Sequence, residues 1–298
     1  MPISFTEIGT IGGIANGPTI NNPTSLQFGP DGRLYVSEQN GTINAISVAI
    51  QDGEYVATAI EELELPNGQD VVKSIQNHND DGSLFSGSGE ASNRQVTGVV
   101  VGGTAEEPVL YISSSDPRIA SNGEKNLDTN SGVITKVTWD ATAEEWSAVD
   151  ILRGLPRSEE NHAVNGMVLA DDGETLYLTV GGNTNNGAPS SFFSYTGEYA
   201  LSGTVLEIDL AAIEAMEVKT DADGGQGGTP RNYVYDLPTL DDPNIANDGV
   251  REDANGNDVD GPWGGNDGLN MAILPADAPL RIFADGFRNA FDLAMDDQ

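Results

Sequence analysis

The sequence predicts an all-β protein, because one short phrase recurs at intervals that suit repeated sheets. Leu34-Tyr35-Val36, Leu110-Tyr111-Ile112 and Leu176-Tyr177-Leu178 each follow an apolar run and a turn. The copies begin 76 and 66 residues apart, which is too long for the coil of a solenoid. Such a spacing matches one four-stranded propeller blade together with long loops. We therefore expect a β-propeller, with about three blades and the start of a fourth in these 298 residues.

The first blade is marked by alternating apolar residues and by turn residues. Gly29-Pro30-Asp31-Gly32 is typical of a tight turn, and Gln51-Asp52-Gly53 is a second turn signal. Residues 66–94 are rich in Asn, Asp, Gly and Ser and are expected to form a long loop. The predicted strands are Ser25–Phe28, Arg33–Ser37, Thr42–Ile50 and Tyr55–Ile60.

The second and third blades follow from the same patterns. For the second blade the predicted strands are Gln95–Val101, Val109–Ser113, Val133–Trp139 and Trp146–Ile151. For the third they are Gly166–Ala170, Thr175–Val180, Gly203–Asp209 and Tyr233–Tyr235. Leu210–Glu217 is expected to add one or two helical turns before the last of these strands.

The last third of the chain is less regular. Residues 219–270 are crowded with Gly, Asp and Asn and are expected to interrupt the blades as an insertion. Leu280–Phe283 and Phe291–Met295 are predicted to end one blade and to begin another. A closed propeller has four to eight blades, so residues 1–298 are expected to form a single incomplete propeller domain, part of a longer one.

Composition excludes several classes of function. Lys and Arg number 13 against 47 Asp and Glu, a net charge of −34, which disfavours binding to nucleic acid or to an anionic membrane. No cysteine is present, so disulfides and thiolate chemistry are ruled out. Acidity and polar loops without cysteine are typical of an exported protein, and we expect an extracellular or periplasmic location. No conventional signal peptide is visible, so the export signal is expected to lie elsewhere or to have been removed.

Two residues stand out as candidates for chemistry. His162 is one of only two histidines and lies just ahead of the third Leu-Tyr copy. An imidazole with an ordinary pKa near ~6.5 accepts protons at neutral pH, although a lone loop histidine more often serves only as a hydrogen-bonding residue. Arg288 offers a planar cation suited to carboxylate or quinone oxygens, although pairing with one of the many acids is the simpler explanation.

Three segments carry a resemblance to a known family. Leu155–Leu178, Asp285–Ala294 and, more weakly, Asn93–Val100 resemble the soluble quinoprotein glucose/sorbosone dehydrogenases, in the family's order along the chain. The resemblance implies a six-bladed β-propeller that binds pyrroloquinoline quinone over its central channel, with calcium in the cofactor site. It also implies a small-molecule sugar or polyol as substrate.

The resemblance also implies residue roles. His162 would be the catalytic base that abstracts the hydroxyl proton while hydride passes to the quinone, and Arg288 would act beside it. Gln95, Arg288 and Asn289 would contact the cofactor. One departure concerns the strand after the histidine, which in the family ends in Gly-Asp. Here Gly182 stands where the family has the carboxylate that orients the histidine.

A second metal hypothesis comes from an acidic loop. Alternate oxygen-bearing side chains can point at one centre, as in calcium loops, although the EF-hand pattern is not met and a solvated acidic loop is the alternative. The candidate ligands are Asp253, Asn255, Asn257, Asp258 and Asp260.

These observations leave three functions open. The first is a quinone-dependent dehydrogenase that oxidises an aldose or polyol hydroxyl. The second is a non-catalytic, calcium-stabilised propeller that serves as a binding or adhesion module of a larger extracellular protein, which Gly182 favours. The third is a calcium-dependent, lactonase-like propeller, which requires several carboxylates around the channel. Neither the individual substrate nor the oligomeric state is readable from the sequence.

Overall fold

The computed structural model describes residues 19–80, 82–118, 128–193, 195–240, 263 and 271–296. This part of the chain contains fourteen strands, one short α-helix and two 3-10 turns, Gly89–Ser92 and Ser191–Phe193. The strands are β1 (Pro23–Phe28), β2 (Leu34–Glu38), β3 (Ile43–Gln51), β4 (Glu54–Glu62), β5 (Gln95–Gly103), β6 (Pro108–Ser115), β7 (Gly132–Asp140), β8 (Glu145–Leu155), β9 (Val164–Leu169), β10 (Thr175–Val180), β11 (Thr204–Asp209), β12 (Lys219–Gly225), β13 (Thr229–Asp236) and β14 (Leu280–Asp285).

The first sheet confirms the first predicted blade. Its four strands follow the order β1-β2-β3-β4, and each is antiparallel to the next. The Gly29–Gly32 turn closes through the Gly29 N–H, which donates to the Arg33 carbonyl at 2.9 Å. Tyr35 of the repeated phrase is fully buried, so the phrase supplies core residues to this sheet.

The second sheet has two more strands than the sequence predicts. Strands β5 to β8 form the predicted antiparallel meander, and the hairpin of β12 and β13 extends it, so that β13 runs parallel to β8. The prediction that Tyr233–Tyr235 belongs to the third blade is therefore wrong. Alternation of apolar residues identifies a strand but not its partner, and here buried ion pairs select the partner. Arg153 of β8 binds Asp236 of β13 at 2.6 Å, and Arg231 of β13 binds Asp150 of β8 at 2.6 Å.

The third sheet has the order β14-β11-β10-β9, with every pair antiparallel. Leu280–Asp285 takes the outer position, which confirms Leu280–Phe283 as the end of a blade. The predicted strand at Phe291–Met295 is not formed, since these residues make no regular ladder. Phe291 instead accepts one bond, from the Gly166 N–H of β9 at 2.8 Å.

The three sheets are arranged like consecutive propeller blades. Their first strands, β1, β5 and β9, lie side by side: Gln27 of β1 bonds the backbone of Val101 in β5, and Thr97 of β5 donates to the Val164 carbonyl. Gly98 permits this approach, because a Cβ there would lie 2.7 Å from the Asn165 carbonyl oxygen. This arrangement of three sheets with adjacent first strands confirms the predicted all-β propeller fold. Among the described residues the sheets do not close into a ring.

Two apolar layers hold the blades together. One, which includes Ile112 and Val96, lies between the first and second sheets, and the other, which includes Leu178 and Leu206, lies between the second and third. The predicted helical turn is α1 (Leu210–Glu214), capped by the Asp209 carboxylate, which accepts the Ala212 N–H at 2.8 Å. No helix in the described part is long and apolar enough to span a bilayer.

Candidate functional site

The candidate residues gather at one edge of the sheets. Strands β5 and β9 begin at this edge with Gln95 and Val164, while β10 ends there and leads into the Gly181–Asn185 loop. Strand β14 also ends there, just before Arg288 and Asn289. Because strand ends from several blades converge, side chains that are far apart in sequence come to face the same space.

His162 is presented by a tight turn between β8 and β9. The His162 N–H donates to the Glu159 carbonyl at 3.0 Å, and the Ser158 N–H donates to the His162 carbonyl at 3.1 Å. The side chain is buried, with 2% of the residue exposed, and its ring lies 4.7 Å from the ring of Phe193, centroid to centroid. The turn and the aromatic contact fix the imidazole. His162 lies on a loop ahead of strand β9, where the sequence predicts it.

The hydrogen bond of the imidazole determines its tautomer. His162 Nδ1 lies 2.7 Å from the Gly182 carbonyl oxygen, which can only accept, so Nδ1 carries the proton. In the neutral ring Nε2 is then the proton acceptor. Burial lowers the pKa of His162 below its usual value, and the nearby Arg288 cation acts in the same direction. The Gly182 carbonyl and the carboxylates of Glu198 and Glu160 oppose this shift. The ring is consequently neutral at pH 7.

A cavity of about 410 Å³ adjoins this histidine. Its size suits a small organic ligand, and its walls combine aromatic, amide and charged groups. Glu159, Glu160 and Asn161, from the turn that carries His162, line it. Other residues that line it are His162, Asn185, Phe192, Phe193, Arg288 and Asn289.

Arg288 is exposed at this cavity. Within the described ranges it makes no ion pair, and its nearest hydrogen-bonding partner is Asn185 Oδ1, 3.5 Å from Nη2. Its backbone carbonyl accepts the Gly182 N–H at 2.8 Å, which joins the loop after β14 to the loop after β10. The guanidinium is therefore available to an oxygen-rich ligand in the cavity.

Asn289 joins loops. Its Nδ2 donates to the Asn161 carbonyl at 2.7 Å, and its Oδ1 accepts from Asn165 Nδ2 at 2.9 Å. One contact fixes the turn that carries His162, and the other fixes the start of β9. The predicted cofactor role of this residue stays a prediction, since the structure shows its amide engaged in positioning these loops.

Gln95 begins β5 and lies in a second, larger cavity of about 820 Å³ that also includes Arg118 and Glu160. Its Nε2 donates to the Glu160 carbonyl, two residues before His162. Glu160 lines both cavities, so it forms the wall between them. The structure thus places Gln95 and His162 in neighbouring cavities.

Glu198 is a residue of the site that the sequence did not indicate. Its carboxylate accepts the Asn183 N–H at 2.8 Å and the Ser202 hydroxyl at 2.6 Å, and it also accepts the Thr184 hydroxyl. Burial raises the pKa of Glu198, but these donors outweigh burial and the pKa is lowered overall. Glu198 is hence ionised at neutral pH. The only signal in the sequence is indirect: the family resemblance implies a carboxylate that orients His162, but at position 182, after strand β10.

The predicted calcium loop, with Asp253, Asn255, Asn257, Asp258 and Asp260, lies outside the described residues. In the part that is described, no group of three or more Asp, Glu or His side chains is placed to hold a metal ion. The calcium site therefore stays a prediction.

No family model matches the chain, and no curated protein matches it. Similar solved structures include the calcium structure of a Trichoderma reesei carbohydrate-active enzyme of family AA12, with 11% identity and a TM-score of 0.39 over 75% of this chain and 44% of that one. Another is the holo form of the pyranose dehydrogenase PQQ domain from Coprinopsis cinerea, with 11% identity and a TM-score of 0.37 over 76% and 53%.

A third similar structure is a putative oxidoreductase (glucose dehydrogenase) from Thermus thermophilus, with 16% identity and a TM-score of 0.32 over 64% of this chain and 44% of that one. The chain thus spans about half the length of the solved chains that it matches.

Proposed function

We propose that this chain is part of a quinone-dependent dehydrogenase that oxidises a hydroxyl group of an aldose or polyol. One observation carries the proposal: a neutral histidine, protonated on Nδ1, borders a ligand-sized cavity that is also lined by a guanidinium with no acid partner among the described residues. His162 Nδ1 donates to the Gly182 carbonyl at 2.7 Å, which leaves Nε2 as the base, and Arg288 lies at the same cavity. The segments that resemble glucose/sorbosone dehydrogenases contain both residues.

The residues present fit pyrroloquinoline quinone, which is rich in carboxylate and quinone oxygens. Arg288 would bind such oxygens, because it is a permanent cation that pairs with no acid in the described part of the chain. Gln95 would contribute an amide from the neighbouring cavity. When bound, the quinone accepts the hydride from the substrate carbon.

The chain's own residues handle the proton. A substrate hydroxyl in the cavity donates its proton to His162 Nε2, and the ring becomes an imidazolium whose Nδ1–H remains bonded to the Gly182 carbonyl. Phe193 packs against the ring and keeps water from that face. Asn185 and the turn at Asn161 supply polar groups of the kind that bind sugar hydroxyls.

The experiment is a dye-reduction assay of the protein with the quinone, calcium and a panel of aldoses and polyols. His162→Ala is expected to reduce kcat by about 10²- to 10⁴-fold, the usual contribution of a general base. Arg281→Ala, which removes an exposed side chain of the outer strand β14, is the control and should keep activity. Thermal melts of both variants establish that they are folded. Full activity in His162→Ala would reject the assigned base.

A binding module is the second candidate, and one contact favours it. The ring of His162 is bonded to a backbone carbonyl and not to a carboxylate, which weakens its support as a base. Calorimetric titration with the quinone, with calcium and with glycans separates the two, since a binding module would take glycans and ignore the quinone.

A further inference from the structure

A single peptide group joins His162 to Glu198. Its carbonyl oxygen, on Gly182, accepts the Nδ1–H of His162 at 2.7 Å. Its N–H, on Asn183, donates to Glu198 Oε2 at 2.8 Å. The imidazole and the carboxylate therefore bind opposite ends of the same amide.

This arrangement transmits the electrostatic effect of Glu198 to His162. A carboxylate that accepts an amide N–H polarises the amide and increases the negative charge on its carbonyl oxygen, which strengthens the bond at the other end by roughly 10–30%. The effect requires an ionised Glu198, and the hydrogen bonds from the Ser202 and Thr184 hydroxyls and from the Asn183 and Thr184 N–H groups keep its pKa low. The peptide group is well placed to act in this way, because Asn183 is fully buried and water does not compete for its N–H.

The packing around Gly182 explains why the carboxylate comes from residue 198. A Cβ at position 182 would lie 2.9 Å from the Arg288 carbonyl oxygen and 3.3 Å from Glu198 Oε1. The space that an aspartate at this position would enter is thus already bordered by the Glu198 carboxylate. Gly182 and Glu198 are two parts of one arrangement.

We propose that Glu198 is a positioning residue which, through the Gly182–Asn183 peptide group, holds His162 as the Nδ1-protonated tautomer and stabilises the imidazolium formed during proton transfer. The inference rests on the proposed function for its catalytic part only. In that reaction the hydroxyl proton moves to His162 Nε2, and the hydride, with its electron pair, leaves the substrate carbon for the quinone. Glu198 exchanges no proton.

Other charges near the ring must be held constant in the test. Arg288 lowers the pKa of His162, whereas Glu160 and Glu198 raise it. The informative variant is Glu198→Gln, because its carbonyl can still accept the Asn183 N–H and its amide can donate to the Thr184 hydroxyl. The shape of the side chain at position 198 is retained, and its negative charge is lost. Glu207→Gln is the matched control, since Glu207 lies in the same blade but pairs with exposed Arg281.

The primary measurement is a nitrogen-detected NMR titration of the two histidines, with His78 as internal reference. In Glu198→Gln we expect the pKa of His162 to fall and its Nδ1-protonated form to become less populated, with His78 unchanged. In turnover we expect about a 10-fold lower kcat/KM at pH 7 and an acid limb displaced to lower pH, as is usual when the support of a functional histidine is removed. Glu207→Gln should match the wild type in every readout.

One result would overturn the proposal: a Glu198→Gln protein in which His162 titrates as in the wild type. Glu198 would then be only a structural support, and Glu198→Ala alone would show impairment. The NMR measurements need neither quinone nor substrate. If the wild type shows no turnover while His162 responds to Glu198→Gln, the link between the two residues stands and the proposed function fails.

Discussion

Placing an aspartate at position 182 should destabilise the protein, although the family resemblance has a carboxylate at that place. Gly182→Asp puts a Cβ 2.9 Å from the Arg288 carbonyl oxygen. That oxygen cannot move away freely, because it accepts the Gly182 N–H at 2.8 Å. The new carboxylate would also approach Glu198, whose oxygens lie 3.3 and 3.5 Å from the Cβ position.

The free-energy costs of overpacking and of charge repulsion can be given separately. Overpacking of this kind costs about 1–3 kcal/mol, which is the loss expected for Gly182→Ala. Two carboxylates about 4 Å apart at an effective dielectric constant near 20 repel by roughly 4 kcal/mol, and protonation of one of them relieves part of that energy. Gly182→Asp should therefore lose at least ~3 kcal/mol of unfolding free energy at pH 7. The difference between Asp and Ala should shrink as the solution is acidified.

Urea unfolding at pH 7 and pH 5 measures both terms. Gly197→Ala is the matched control, because a Cβ at Gly197 meets nothing within 4 Å, and its stability should stay the same or rise slightly. The double variant Gly182→Asp with Glu198→Gln should recover part of the loss, since the repulsion is gone and the glutamine carbonyl can still accept the Asn183 N–H. A Gly182→Asp protein as stable as the wild type at pH 7 would show that the loop has room for the family carboxylate and that this reasoning is wrong.

Two further predictions concern charge. Arg153→Met should lower the unfolding free energy by about 3–5 kcal/mol, because it removes the buried guanidinium that binds Asp236 at 2.6 Å and Asp221 at 2.7 Å. Arg281→Met, at an exposed pair, should change it by less than about 1 kcal/mol, and equal losses of the two variants in urea unfolding would contradict this reasoning. The pKa of His162 is lower in the folded protein than in the unfolded chain, so its contribution to stability is complete above pH ~6.5 and is lost as the pH falls. His162→Gln should therefore flatten that part of the curve of unfolding free energy against pH. An unchanged slope would refute the lowered pKa.

The sequence predicted the blade strands well because their signals are local. Alternating residues and turn signals define the strands, and the Leu-Tyr phrase places buried residues such as Leu110 and Leu178 at the centre of each sheet. The first strand of the hairpin at residues 219–236 was missed, and the second, predicted at Tyr233–Tyr235, was assigned to the wrong blade, because the contacts that hold the hairpin are not local. Strand β12 is rich in Gly and Asp, and the hairpin is held to β8 by ion pairs between residues more than 60 positions apart, such as Arg231 and Asp150.

The candidate site also contains both residues that the sequence predicted and a residue that it did not. His162 was predicted as a loop residue ahead of an inner strand, and the structure places it there beside Arg288 at one cavity. Glu198 could not be predicted, because nothing in its sequence neighbourhood distinguishes it from the other acidic residues. Its role depends on a loop that returns to the Gly182–Thr184 segment, and such an approach is a property of the folded chain alone. For Asn289 the sequence predicted a ligand contact, and the structure shows loop contacts with Asn161 and Asn165.

Glycine at position 182 does not by itself argue against catalysis. Without Glu198, the buried Asn183 N–H would lose its acceptor, at a cost of about 1–3 kcal/mol, so the carboxylate stabilises the same loop that orients His162. With a side chain at residue 182, the loop could not pack against Arg288 and Glu198 as it does. The fold therefore requires the two residues together, and they provide a negative charge one peptide group away from the imidazole. The strength of His162 as a base therefore depends on the ionisation of Glu198. An ionised Glu198 polarises the Gly182–Asn183 peptide group, which makes the Gly182 carbonyl a stronger acceptor for the Nδ1–H of His162.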